Sequence, residues 1–351
     1  MDQFVTVRVV QANGLNLERF QFDFDLTFSV FLMNADGTVY GRYGSRSDRH
    51  DATRDISMEG FGKALEGALE LHQGYPANRA TLVGKQATGS RFPVPEQYPS
   101  LRGKYTAKLD YEGKVVQSCI HCHQVRESER KLYREAGAPI PDNVLHPWPM
   151  PGVLGLHMDP KERATVVTVD TDSPAQRAGF RSGDIIATVE GQPILSTADI
   201  QWVLQNAPEA GELETTVLRA GVALPLKLPL EIHWRRNSDL SWRVTSWDLR
   251  RMATGGLLLR DSTQEERTTA GVSETELSLF VQHVGQYGEH AVAKKAGFQQ
   301  NDILVRIDGL ATPMTESGLL SHLLRNRAPT DKVPVRIARN GKRVDLILPM
   351  Q

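Results

Sequence analysis

The chain has 351 residues, 40% of them apolar and 24% charged, enough for two or three domains with cores of their own. Its formal net charge of −1 supplies no basic field for nucleic acid, and no run approaching about 18 consecutive apolar residues predicts a transmembrane helix. The patterning predicts a multidomain α+β protein in four regions, 1–75, 76–150, 151–232 and 233–351.

Residues 1–75 read as a compact α/β unit. Phe4 to Val10 alternates β-branched residues and predicts a strand. Two further strands, Thr27 to Asn34 and Thr38 to Tyr43, meet through Ala35-Asp36-Gly37, a hairpin signal. A helix is expected from about Ser57, with Phe61, Leu65 and Leu69 along one side. Strand, hairpin and closing helix resemble the second half of a thioredoxin-like domain. No cysteine lies in residues 1–118, and Leu26-Thr27 stands where thioredoxins place a cis-proline, so the region is expected to be a scaffold.

Residues 76–150 are rich in Pro, Gly and Tyr and predict a loop-rich segment, with a short charged helix from Glu127 to Ala136. They hold both cysteines of the chain, in Cys119-Ile120-His121-Cys122-His123. Two thiols at this spacing followed by histidine suit covalent attachment of haem c, with His123 as an axial iron ligand. Met150, within His146-Pro-Trp-Pro-Met150-Pro, is the candidate opposite ligand. Three alternatives stay open: a thiol–disulfide pair, a zinc or copper site, or a structural role. Haem attachment of this kind takes place outside the cytoplasm, so the motif implies an exported, periplasmic protein whose signal peptide is absent from this sequence.

The C-terminal 200 residues contain an internal repeat. Ser173-Pro174-Ala175 through Ala178-Gly179-Phe180 to Gly183-Asp184-Ile185-Ile186 recurs as Ala293 through Ala296-Gly297-Phe298 to Asn301-Asp302-Ile303-Leu304. Each copy runs on into Glu190-Gly191 or Asp308-Gly309, an amphipathic helix (Thr197 to Asn206, Glu316 to Arg325), and a hairpin at Gly221 or Gly341. This order resembles tandem PDZ domains of the bacterial, protease-associated kind. The resemblance implies binding of protein or peptide C-termini, with the carboxylate captured by Leu154, Gly155 and Leu156 in the first domain and by Gly255, Gly256 and Leu257 in the second. No Gly-x-Ser-x-Gly nucleophile motif accompanies the repeats. The loop from His283 to His290 holds two histidines, a tyrosine and a glutamate, and is expected to be an ordinary surface loop. Trp234, Trp242 and Trp247 interleave with Arg235, Arg236, Arg243, Arg250 and Arg251, for which domain packing with arginine stacked on tryptophan is the expectation.

Taken with Phe31 to Gly44, Cys119 to Val125 and His283 to His290, the whole order resembles thioredoxin-like/PDZ proteins of planctomycete-type bacteria. The expectation is an exported c-type haem protein for electron transfer or redox sensing, docked to a partner, such as a redox protein, through PDZ grooves. The contrasting expectations are a non-haem PDZ scaffold in which Cys119 and Cys122 form a disulfide or metal clip, and a thiol oxidoreductase whose active segment lies upstream.

Overall fold

The computed structural model describes residues 2–351. In chain order the elements are β1 (Val30–Met33), β2 (Val39–Tyr43), α1 (Met58–Gln73), α2 (Cys122–Glu135), α3 (Asp142–Leu145), β3 (Leu156–Met158), β4 (Val166–Val169), α4 (Pro174–Arg177), β5 (Ile185–Val189), β6 (Gln192–Pro193), α5 (Thr197–Asn206), β7 (Gly211–Arg219) and β8 (Val222–Leu230). They continue as α6 (Ser246–Thr254), β9 (Leu257–Asp261), α7 (Gln264–Ala270), β10 (Leu279–Val284), α8 (Val292–Lys295), β11 (Ile303–Ile307), α9 (Glu316–Asn326), β12 (Lys332–Arg339) and β13 (Lys342–Pro349). Two compact units divide them, residues 1–129 with 146–238, and residues 130–145 with 239–351.

In the first unit the expected hairpin forms, with β1 antiparallel to β2. The strand expected at Phe4 to Val10 does not: that segment belongs to no strand, and Val5, Val7, Val9 and Val10 are exposed. With only β1 and β2 in its sheet, the region does not build the thioredoxin-like sheet the pattern suggested. Alternating β-branched residues mark a segment able to pair, and pairing needs an edge that these residues do not reach. Helix α1 begins where Ser57 caps it, accepting from the Gly60 amide. Its buried residues are Gly60, Ala64, Gly67 and Ala68, whereas Phe61, Leu65 and Leu69 are only half-buried. The small residues allow close approach to residues 160–195: a Cβ on Gly60 would lie 2.2 Å from the Pro160 carbonyl oxygen, and one on Gly67 2.7 Å from Leu195.

Residues 76–150 form no body of their own. They divide between the units inside α2, which opens at Cys122, five residues earlier than the expected start at Glu127.

The repeat is visible in space. The first copy pairs β3 with β4 and orders its other strands β6-β5-β7-β8; the second forms one antiparallel sheet, β13-β12-β11-β10-β9. Asp184 is buried and receives Arg219 through Nε at 2.7 Å and Nη2 at 2.8 Å, while Arg219 also donates to the Gly179 carbonyl. Asp302, Arg339 and Gly297 repeat the same three bonds. Gly179 and Gly297 sit at φ +88° and +98°, conformations that a side chain would strain. The apolar cores are separate, one around Leu156, Ile186, Val203 and Val217, the other around Leu257, Leu279, Leu320 and Ile337.

Burial alone would push the Asp184 carboxyl up, but the Arg219 hydrogen bonds, the Arg181 amide and the nearby charge hold it below the usual carboxylate range. A carboxyl depressed in the folded state contributes stability above its unfolded pKa and loses it as pH falls through the folded value. Asp184→Asn should therefore melt about 5 °C below the parent at pH 7. The gap should narrow from about pH 4 downward, as thermal melts across that range would read.

Candidate peptide-binding site

The first groove lies beside β3. Strand β3 has one sheet neighbour, β4, so its other side is an edge. Gly155 O accepts from Asp170 N at 3.0 Å and Asp159 N donates to Thr165 O at 2.8 Å. Alternation along an antiparallel pair therefore turns the N–H and C=O of Leu156 to the outer edge. An apolar void of about 10 Å³ lies in the core at this end, between Leu154 and Leu156, Ile200 and Leu204 of α5, and core side chains such as Ile186 and Leu228.

The loop that heads β3 is built from local rules. Pro151 starts a 3-10 turn over Pro151–Leu154, and Gly155 ends it at φ +87°. Only glycine fits there, because a Cβ would stand 2.3 Å from Ser173. Ahead of the turn, Trp148 sits at φ +50°, an unusual conformation for a bulky residue. It is held by two bonds to α5: its N–H donates to Gln205 Oε1 at 2.6 Å and its carbonyl accepts from Gln201 Nε2 at 2.9 Å. Its ring packs on Trp202 with centroids 5.9 Å apart.

Helix α5 is buried on all sides from Thr197 to Leu204. Its far face is anchored by residues that the sequence reading left unmarked. Asp199 receives Lys85 Nζ at 2.9 Å, the Arg42 amide at 3.1 Å and the Leu195 amide at 2.9 Å. Arg42 stacks over Trp202 at 3.8 Å from the ring centroid and donates to Lys85 O, while Trp202 Nε1 donates to Gly84 O. Burial drives the Lys85 ammonium down, with the Asp199 charge opposing, and pulls Arg42 down to about 10. No periodicity joins positions 42, 85 and 199; only the mismatch of a lysine and an arginine in otherwise ordinary segments could have drawn notice.

The second groove's residues behave differently. Gly255 and Gly256 end α6, with their amides donating to Arg251 O and Arg250 O at 3.1 and 3.0 Å. Their carbonyls accept from Ala293 N and Gly285 N. These amides are committed to capping, which corrects the expectation that Gly255, Gly256 and Leu257 form a second carboxylate loop. Sequence spacing located the loop correctly but could not show where its N–H groups point.

Cys119 and Cys122 are free thiols, half-buried, with Cys122 as the first residue of α2. Asn13 pins the motif: it donates to Ser118 O at 2.8 Å and accepts from Ile120 N at 2.7 Å. The rings of His121 and His123 stack 5.5 Å apart, and burial followed by the His121 charge lowers the His123 pKa against the pull of Asp25. Met150 lies at the entrance of the Pro151–Leu154 turn, in the loop that heads β3. Among the described residues no group of three or more His, Cys, Asp or Glu side chains is clustered to hold a metal ion. Trp234, Trp242 and Trp247 each carry a stacked arginine, Arg235, Arg243 and Arg250, at 4.4, 4.7 and 5.1 Å.

Residues 165–219 match the PDZ domain family and form a PDZ domain. A probable periplasmic serine endoprotease, DegP-like, of Halomonas elongata is 27% identical over 192 residues, which cover 52% of this chain and 36% of that protein. The periplasmic serine endoprotease DegP of Salmonella typhimurium is 30% identical over 76 residues, covering 22% of this chain and 16% of the relative. The chain thus spans about a third or less of the length of these relatives. Among solved structures, the HtrA3 PDZ domain bound to a phage-derived ligand is 30% identical over 19% of this chain and 62% of its own, with a TM-score of 0.18. The HtrA-type protease AlgW with decapeptide is 16% identical over 53% of this chain and 54% of its own, with a TM-score of 0.27.

These relatives overturn the expectation of a c-type haem protein for electron transfer or redox sensing held by Cys119, Cys122 and His123. The proteins this chain is similar to are periplasmic serine endoproteases, and nothing among them supports the thioredoxin-like assignment. The Cys–x–x–Cys–His spacing is five residues of local pattern, whereas the similarity to the proteases extends over 192.

Burial raises the Cys122 pKa, with its own backbone amide opposing and Cys119 adding to the rise. Less thiolate forms at neutral pH as a result. Iodoacetamide at pH 7.5 should therefore alkylate Cys122 more slowly in the folded chain than in urea. Peptide mass spectrometry over a time course reads the two rates.

Proposed function

We propose that this chain is a peptide-recognition protein of the periplasm, acting in the handling of exported polypeptides, and that the first groove takes an extended peptide as a strand added to β3. The observation that carries this reading is the outer edge of β3 at Leu156, with which no strand pairs, in a copy of the repeat that matches the PDZ family. A peptide's main chain would pair with that edge once the side chains that bury Leu156 move aside. The Val153 and Gly155 amides donate to Met150 and Gly152, which corrects the expectation that Gly155 captures the carboxylate; the Leu156 N–H would take that role.

The PDZ match over residues 165–219 supports the reading, and the periplasmic relatives support the location. The described residues contain no helix long and apolar enough to cross a membrane. Proteolysis is the named activity of the relatives. Here it enters as the process that such a groove would serve, by holding a polypeptide for cleavage.

A fluorescein-labelled decapeptide ending in valine with a free carboxylate should bind with a Kd in the micromolar range, about that of weak docking contacts, when titrated by anisotropy. Amidating the C-terminus, or N-methylating the residue that pairs with Leu156, should each weaken binding at least about tenfold, the loss expected when one charged or buried hydrogen bond goes. Equal affinity for all three peptides would overturn strand addition at this groove.

A further inference from the structure

The second PDZ-like copy has the same strand edge as the first, and its fate is different. Alternation from the Gly256–Gly285 and Ser262–Ser278 bonds turns the Leu257 carbonyl and the Leu259 amide to the outer edge of β9. That amide donates to Glu316 Oε1 at 2.8 Å, and that carbonyl accepts from Thr254 Oγ1 at 3.3 Å. Glu316 is the first residue of α9, where the first copy has Thr197 as the first residue of α5.

Between this edge and α9 stands α6. Arg250 reaches Glu316 through Nε at 2.9 Å and Nη2 at 2.6 Å and is fixed in turn by Ser246 Oγ at 2.7 Å; Arg250 and Glu316 are 1% and 5% exposed. Leu249, Met252 and Ala253 are buried in one cluster with Leu257, Leu259, Leu319, Leu320 and Leu323. The Gly255 and Gly256 amides that a carboxylate would need are bonded to the last carbonyls of α6.

We propose that α6 is the built-in occupant of the second groove, clasped by Arg250 and Glu316, so that a peptide binds this chain through the first groove alone. Four features of the second groove already have an internal counterpart: Glu316 takes the place of a peptide carbonyl at the Leu259 amide, Thr254 that of a peptide amide at the Leu257 carbonyl, the buried face of α6 that of the apolar side chains, and the C-terminus of α6 occupies the Gly255 and Gly256 amides. A buried ion pair holds only while both members stay, because removal of one leaves an uncompensated charge. The clasp is therefore specific to this pair of residues. The stoichiometry rests on the peptide-binding reading above, whereas the state of the second groove does not.

Two measurements on the intact chain test it. Hydrogen exchange resolved to the Leu259 amide should show protection equal to that of the inner strands, although β9 is a sheet edge, and Glu316→Gln or Arg250→Met should speed that exchange at least tenfold while the β12 amides keep their rates. Titration calorimetry with the valine-terminated decapeptide should give one site per chain. Rapid exchange at Leu259 in the parent, or two sites per chain, would overturn the proposal. No heat from the peptide alongside a protected Leu259 would sink the peptide-binding reading and leave the occupied groove standing. Should either variant fail to fold, the parent exchange and the stoichiometry still decide.

Discussion

Backbone N–H and C=O groups along the outer edge of a strand need partners, and a groove between such an edge and a helix exists only where those partners come from outside the chain. Both repeats present this edge, at Leu156 in β3 and at Leu257 and Leu259 in β9. In the first, the neighbouring helix begins with Thr197, which offers no carboxylate, and the edge stays unpaired. In the second, Glu316 and Thr254 take the hydrogen bonds and α6 takes the apolar surface. One architecture thus leaves one strand edge without a strand partner and fills the other from within the chain, and a few side chains make the difference.

A receptive groove must also have fixed walls. The wall formed by α5 is held from behind, by a cluster in which Asp199 faces Lys85 and the Arg42 amide while Arg42 lies flat on Trp202. Charges this deeply buried are costly to dehydrate, as the lowered pKa of Lys85 and Arg42 reflects. Their value lies in placement, since a carboxylate with three donors leaves little freedom to the helix that carries it. From the opposite side Trp148 ties the loop to the same helix through Gln201 and Gln205, at the expense of a left-handed backbone. Strand, loop and helix are thereby set against each other before any peptide arrives.

The Cys119-to-His123 stretch shows how far a short motif can mislead. Its spacing is that of haem attachment, yet spacing says only which side chains are able to meet a cofactor. The chain sets Cys119 to His121 ahead of α2 and begins the helix at Cys122, with Ile120 buried and Asn13 holding the backbone on both sides. The similarity to periplasmic serine endoproteases extends over half of the chain and carries more weight than five residues do. The alternating valines of residues 5–10 fail in the same way, because a pattern that permits a strand does not supply its neighbour.

What the sequence determined by itself was local. The hairpin of β1 and β2, the start of α1 near Ser57, the span of α5, and the two copies of the glycine turn were all legible, because helical period, turn chemistry and repeated spacing act over a few residues. Tertiary structure alone decided which edge groups find partners within the chain. Arg42, Lys85 and Asp199 are brought together from three distant segments, and Glu316 reaches Leu259 across 57 positions of chain. Whether an edge amide finds a partner within the chain depends on a residue that no local pattern names: the Leu259 amide meets Glu316, whereas no strand pairs with the outer edge of β3.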